Sequence, residues 1–361
     1  MARAYNFNPG PAALPLEVLR QAQEELTDYR GTGMSVMEIS HRSKEYEAIN
    51  DETQQLLHEL LGVPGGYKTL FLQGGASTQF AMIPMNFLRP GKSAAYVHTG
   101  SWADKAYKEA KLFGEAVIAA SSEASGFTRV PDFKDIRIPD NAAYVHITSN
   151  ETIGGVQYKE FPDTGDVPLF ADMSSDIMSR PFDVSRFGLI YAGAQKNIGP
   201  SGVTVVIIRE DLLKDLPKDL PAMFRYGVHA ENNSLYNTPP AFAVYMVNLV
   251  LKWIKAKGGL AEMEAYNRKK ADLLYRAIDE SGGFYRGVAA PEFRSHMNVT
   301  FRLRDAELEK LFAKESEEAG FVGLKGHRSV GGLRASIYNA VPLEACQALA
   351  GFMAEFARKH G

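Results

Sequence analysis

The chain has 361 residues, 40 of them basic and 43 acidic, a formal charge of −3 and a single cysteine, Cys346. That length suits one large and one small domain with a sizeable core. The near balance of charge leaves no global footprint for nucleic acid or an anionic membrane. One cysteine excludes an internal disulfide framework, which fits a reducing cytosol.

The first fifteen residues hold Pro9, Gly10, Pro11 and Pro15 and suit an extended arm. They contain no apolar core of signal-peptide length, and no later run approaches a membrane span, so a soluble, cytoplasmic protein is expected. A helix is predicted over 43–61, where Tyr46, Ile49, Thr53, Leu56, Leu57 and Leu60 share a face that ends at Gly62-Val-Pro64. Short apolar runs follow at 69–72, 94–98, 116–119, 143–148, 168–171, 189–192 and 203–208. Amphipathic stretches and loop punctuation separate several of them. This alternation predicts a mainly parallel sheet of seven strands with helices on both faces. The run 241–254 reads as a buried helix. Beyond Gly258-Gly259 the pattern changes to helices over 260–280, over 305–319 and from Pro342, with strands near 297–301 and 333–337. The expected organisation is therefore a large α/β domain over 16–257. A small α+β domain is formed by 258–361 together with the arm 1–15. Cys346 shares a helical face with Leu343, Ala350 and Met353 and reads as core packing rather than a nucleophile.

Lys196 lies in Tyr191-Ala-Gly-Ala-Gln-Lys-Asn-Ile-Gly-Pro-Ser-Gly202, a Gly/Pro-rich loop between two apolar runs. An amine held this way suits covalent work on a carbonyl, since desolvation leaves more of it as the free nucleophile. Pro168-Leu-Phe-Ala-Asp172 ends in a carboxylate. Asp172 has two readings, a helix N-cap for Met173-Ser-Ser-Asp or the partner of a pyridine nitrogen. A Schiff-base lysine near such an aspartate is the minimum apparatus of a pyridoxal-phosphate enzyme.

Other segments fall at the ends of the same strands. Gln73-Gly-Gly-Ala-Ser-Thr-Gln79 opens a helical run over 80–88, with Ser77 or Thr78 as its cap. It reads either as an anion cup or as a tight turn. Gly100-Ser-Trp102 offers an indole for stacking on a flat ring or for capping the core. In Asn150-Glu-Thr152, Thr152 could reach a ring substituent or simply close a turn. Basic pairs stand at His41-Arg42 and His327-Arg328, and Arg334 begins a probable strand. They suit carboxylates or phosphates, or they are surface charges.

Taken together, these segments resemble the phosphoserine aminotransferase family, class V aminotransferases of pyridoxal-phosphate fold type I. The resemblance runs end to end, from Tyr5-Asn-Phe-Asn-Pro-Gly-Pro11 through Ile39-Ser-His-Arg-Ser-Lys-Glu45 and Asn237-Thr-Pro-Pro240 to Gly326-His-Arg-Ser-Val-Gly-Gly-Leu-Arg334 and on to Asn339. It implies pyridoxal 5′-phosphate as cofactor and no metal. It makes Lys196 the attachment point, Asp172 the partner of the ring nitrogen, Trp102 the stacking ring and Thr152 a contact on the ring-hydroxyl side. Ala76, Ser77 and Gln195 would hold the cofactor phosphate, with Asn237 and Thr238 supplied across a homodimer that shares its active sites. Ser77 stands where some relatives carry arginine. His41, Arg42, His327 and Arg328 would receive the substrate phosphate and Arg334 the α-carboxylate.

The implied reaction moves an amino group between L-glutamate and 3-phosphohydroxypyruvate, giving O-phospho-L-serine and 2-oxoglutarate in serine biosynthesis. The resemblance leaves open whether 4-phosphohydroxythreonine, of pyridoxine biosynthesis, is also a substrate. The rivals are another class V reaction, such as sulfur transfer from cysteine, and a non-enzymatic phosphometabolite-binding protein.

Overall fold

The computed structural model describes residues 3–328 and 330–361; Ser329, within the segment 326–339 quoted above, lies outside the described residues, as do Met1 and Ala2. The chain opens with a short strand, β1 (Tyr5–Asn6), and helix α1 (Leu16–Glu25). Helix α2 (Lys44–Leu61) starts where Ser43 accepts a hydrogen bond from the Tyr46 amide and stops at Gly62, whose left-handed φ of 63° most other residues would resist. Then come β2 (Tyr67–Leu72), α3 (Gly75–Phe87), β3 (Ser93–His98), α4 (Ser101–Ala110), β4 (Glu115–Ser121) and β5 (Ala142–Thr148). A two-rung hairpin, β6 (Asn150–Glu151) with β7 (Val156–Gln157), precedes β8 (Leu169–Asp172), β9 (Leu189–Gly193) and β10 (Thr204–Arg209).

Strands β2, β10, β9, β8, β5, β3 and β4 form one sheet in that order, and only β10 runs against its neighbours. These are the seven strands expected from the apolar runs, each shifted by at most two residues at either end. Side chains alternate between the two faces, as the period of an extended strand requires. One face presents Leu70, Tyr96, Tyr144, Phe170, Tyr191 and Val206 to α3 and α4. The other presents Phe71, Val97, Val145, Ala171, Ile190 and Val205 to a core shared with α1, α2 and the later helix α6 (Ala241–Ala256). Short helix α5 (Tyr226–Glu231) completes the first face.

Helix α7 (Gly259–Asp279) bridges two cores. Leu260 and Met263 belong to the core of the large sheet, while Ala271, Leu274 and Ile278 belong to a second one. That second core is built on β11 (Arg286–Gly287), β12 (Asn298–Arg302), α8 (Ala306–Glu318), β13 (Phe321–Val322), β14 (Leu333–Ser336) and α9 (Leu343–His360). Asp305 caps α8 by accepting the Leu308 amide at 2.9 Å. The N-terminal arm is stitched to this unit. Strand β1 pairs parallel with β13, and Phe7 is fully buried in the second core. Burying one phenylalanine this way stabilises by about 2–3 kcal/mol. Cys346 is also fully buried there, and desolvation pushes its thiol up to about 12.

One expectation fails. Neither Ser77 nor Thr78 caps α3. The helix begins earlier, at Gly75, with Gly74 left-handed at φ 94° and no side-chain cap. The Thr78 hydroxyl instead donates back to the Gly74 carbonyl at 3.0 Å. Two successive glycines reach backbone angles that release the chain from β2 directly into a helix, so no capping hydroxyl is required.

Candidate active site

Ligands of open α/β sheets gather beyond the carboxyl ends of the strands, and here that edge collects the expected residues. Thr148, Asp172 and Tyr191 are in register across β5, β8 and β9. Asp172 is the last residue of β8. Thr152 sits on the β6–β7 hairpin just past β5, Lys196 follows β9 by three residues, and Trp102 is the second residue of α4. Lys196 Nζ donates to Thr152 Oγ1 at 2.8 Å and lies 5.2 Å from the centre of the Trp102 ring. The arm closes over this loop. The Ala12 amide donates to the Gln195 carbonyl at 2.9 Å, and a Cβ on Gly10 would stand 3.0 Å from Lys196 Cγ. With φ at +135°, only glycine fits there comfortably.

The electrostatics favour chemistry over ordinary ion pairing. Burial lowers the Lys196 pKa, with Asp172 and Glu151 opposing that shift. Burial also raises the Asp172 carboxyl, against the pull of Lys196 and of the nearby Ser174 and Tyr191. Asp172 Oδ1 accepts the Ser174 amide at 2.9 Å, so the N-cap-like turn and the buried carboxylate are one arrangement rather than alternatives.

Glu151, quoted in the sequence only as the middle of a triplet, is 1% exposed and pushed by burial to about 7. Its carboxylate takes the amides of Trp102 and Ala103 at 3.2 and 3.0 Å, capping α4 from a distance. That explains Gly100, where a Cβ would meet Glu151 Cδ at 2.7 Å. No local pattern reveals a cap whose helix begins about fifty residues upstream.

The bare N-terminus of α3 offers amides to an anion at Gly74–Gly75, beside half-buried Ala76 and exposed Ser77. Gln195 is half-buried next to Lys196. Within the same chain, the Thr238 carbonyl accepts from Gln73 Nε2 at 3.3 Å, and Asn237 Nδ2 donates to that carbonyl at 3.1 Å, so both stand near the α3 turn. The indole nitrogen of Trp102 and the Thr148 hydroxyl are buried without a hydrogen-bond partner. A flat face, a buried acid, an amine and an open helix end together fit pyridoxal 5′-phosphate.

Beside this group, next in sequence to Trp102 and Thr152, lies a cavity of about 330 Å³ whose lining includes Ser101, Ile153, Phe301, Arg302, His327 and Arg334 but not Lys196 or Asp172. Arg334, on β14, is 5% exposed. One guanidinium nitrogen donates to the Thr152 carbonyl at 3.1 Å, while Nε is buried with no partner. Burial lowers the His327 pKa, with the nearby charges of Arg334, Lys105 and Arg328 adding to the shift. Lys105, one turn into α4, was not singled out in the sequence; its ammonium lies 4.1 Å from the centre of the Trp102 ring. His41 and Arg42 precede α2. Among the described residues, neither makes a hydrogen bond or ion pair to the group around Lys196. His41 Nε2 is buried without a partner, and Arg42 is exposed.

The model of the family "Aminotransferase class-V" matches residues 4–349. A phosphoserine aminotransferase of Niallia circulans is 66% identical over 359 residues, 99% of each chain. The solved phosphoserine aminotransferase from Bacillus circulans subsp. alkalophilus superposes with a TM-score of 0.99 at 66% identity, covering 99% of both chains. A PLP-bound phosphoserine aminotransferase from Trichomonas vaginalis superposes with a TM-score of 0.92 at 41% identity, covering 98% of this chain and all of its own.

Proposed function

This chain belongs to the class V aminotransferases, and from that premise we propose that it is a phosphoserine aminotransferase. It moves an amino group between L-glutamate and 3-phosphohydroxypyruvate, forming O-phospho-L-serine and 2-oxoglutarate. The carrying observation is the constellation of half-buried Lys196 and Trp102 with buried Thr152 and Asp172, together with identity of 66% over nearly the full length to a relative of that activity.

Pyridoxal 5′-phosphate, when bound, supplies a carbonyl carbon to which amines add and a protonated ring that accepts electron pairs. Every other part is the work of the chain. Lys196, whose pKa burial lowers, offers a free amine as nucleophile. With the substrate held beside it, Nζ would be the base that takes the proton from the substrate α-carbon, and its proximity would make that transfer effectively intramolecular. Asp172 would keep a proton on the ring nitrogen and Trp102 would lie against the ring, while Thr152 steadies Nζ. The α3 amides, Ala76, Ser77 and Gln195 would receive the cofactor phosphate.

Arg334, whose guanidinium keeps donors unused by the described residues, would receive the substrate α-carboxylate. His327 and Arg328, with Lys105 beside them, receive the terminal anion, which is a carboxylate in glutamate and a phosphate in the acceptor. A homodimer belongs to this reading. A second copy brings its own Asn237 and Thr238, and with them His41 and Arg42, toward the cleft. A cytoplasmic location completes it. Among the described residues no helix is long and apolar enough to cross a membrane. Sulfur transfer needs a reachable thiolate, and Cys346 is buried with its pKa raised to about 12.

The test is a half-reaction. The yellow protein mixed with glutamate alone should lose its colour and release one 2-oxoglutarate per subunit. Borohydride should trap the cofactor on the peptide carrying Lys196. A protein that stays colourless with added cofactor yet binds phosphorylated acids would be the binding-protein rival instead.

A further inference from the structure

The sheet face beneath the site carries buried polar groups that the reaction above does not use. Tyr191 lies in register with Asp172 on the next strand, so both side chains project from one face, and its hydroxyl is among the groups that lower that carboxyl's pKa. On its other side the Tyr191 hydroxyl meets His146 Nε2 at 2.9 Å. His146 is two residues before Thr148 on β5 and so projects from the same face. Both side chains are essentially inaccessible to solvent, at 0% and 1% exposure. Tyr96 lies against the imidazole, with ring centres 4.9 Å apart, and passes its own hydroxyl to Tyr144.

We propose that Tyr191 and His146 are positioning residues that act through Asp172: His146 Nε2–H donates to the Tyr191 oxygen, and Tyr191 O–H donates to the Asp172 carboxylate, holding it as an anion. The proposal rests on the reading of Asp172 as the partner of the cofactor's ring nitrogen.

The direction of the chain follows from counting protons. A carboxylate only accepts, and the tyrosine has one proton to give. If Tyr191 gave it to His146, the imidazole would carry its proton on Nδ1. That atom is buried and has no partner, so a donor there would be stranded. With the proton on Nε2, Nδ1 is a bare lone pair and only an acceptor goes unused. A doubly protonated ring is disfavoured as well, because burial drives the His146 pKa down to about 3. The charged and titratable groups facing Tyr191 and His146 among the described residues are Asp172, Tyr96, Tyr144 and Tyr226, while Lys196 acts on the Asp172 end of the line. Burial alone pushes Asp172 toward its neutral acid, and a neutral acid would not keep the ring nitrogen protonated. The Tyr191 proton opposes that drift without adding a cation that would repel the protonated ring.

The experiment uses ¹⁵N-histidine NMR on the cofactor-free and cofactor-loaded enzyme, with His146→Gln identifying the resonance. The expected spectrum is a neutral Nε2–H tautomer that does not titrate between pH 5 and 9; an Nδ1–H tautomer or a titrating ring overturns the proposal. Alongside it, cofactor affinity is measured by quenching of Trp102 fluorescence. Tyr191→Phe and His146→Leu should each weaken it about tenfold, the scale of losing one hydrogen bond to a charged group. His146→Gln, which keeps a donor near the Nε2 position, should stay within about threefold. Wild-type affinity in both Tyr191→Phe and His146→Leu, with unchanged melting temperatures, would also overturn it. Failure of the underlying reading looks different: Asp172→Asn would then keep wild-type cofactor affinity and a wild-type glutamate half-reaction.

Discussion

At the floor of the cleft, Asp172, Glu151 and Arg334 are at most 5% exposed, and each has hydrogen-bond partners at set distances. At its mouth Arg328 and Lys105 are exposed, on a loop and on the outer side of a helix. The floor acts by displacing pKa values, since burial penalises each charge and leaves specific neighbours to decide its state. The mouth acts through charge in a solvated setting, where each contact is weaker and screened by salt. Buried groups should therefore control the chemical step, and exposed groups the choice of acid.

The contrast is tested hardest at Lys196. Lys196→Ala should lower the rate of the glutamate half-reaction by at least about 10³-fold, as loss of both nucleophile and base requires. A single-turnover trace of 2-oxoglutarate release measures it.

Next is Glu151. Its folded-state pKa, about 7, lies above its ordinary 4.5, so the folded protein binds this proton more tightly. The stabilising contribution is complete below about pH 4.5 and is lost as the pH rises toward 7. Urea unfolding of the cofactor-free protein over that range should show wild type losing about 3 kcal/mol more than Glu151→Gln. Parallel curves would mean that the carboxylate is ionised throughout.

Arg334→Lys should raise KM for glutamate and for the phosphorylated acceptor alike, by about 30-fold, since both present the same α-carboxylate to a buried guanidinium. Steady-state kinetics with each substrate varied in turn would show an unequal effect if Arg334 faces the terminal anion instead.

The smallest effect belongs to the mouth. Arg328→Ala should raise KM for the phosphorylated acceptor about tenfold and for glutamate only about threefold. The gap should narrow in 0.5 M salt. Equal, salt-insensitive losses would remove Arg328 from the selecting group.

The apolar runs located the strands because all but edge strand β4 are buried along nearly their whole length, and burial of that kind writes itself locally as consecutive apolar residues. The helix over 43–61 was equally plain, since Ser43 and Gly62 cap it from within its own segment. The start of α3 was misplaced because hydroxyl residues at 77 and 78 imitate a cap, whereas left-handed Gly74 makes the turn through backbone angles. His41 and Arg42 could be named as basic groups, but a single chain does not bring them to Lys196. Lys105 escaped notice because one lysine on an amphipathic helix is indistinguishable from a solubilising charge.

From its residues alone the chain declared a lysine held on a Gly/Pro loop, a carboxylate ending an apolar run and a row of turns at strand ends. These are short-range signals, complete within a dozen residues. The three-dimensional fold decided which of those turns face one another, that Glu151 reaches across to cap α4, and that the arm at Gly10 closes on Lys196. It also joined His146 to Tyr191 by a hydrogen bond and set Tyr191 in register beside Asp172. Such contacts join residues far apart in sequence, and no local pattern encodes them, because they exist only once the strands have paired in register.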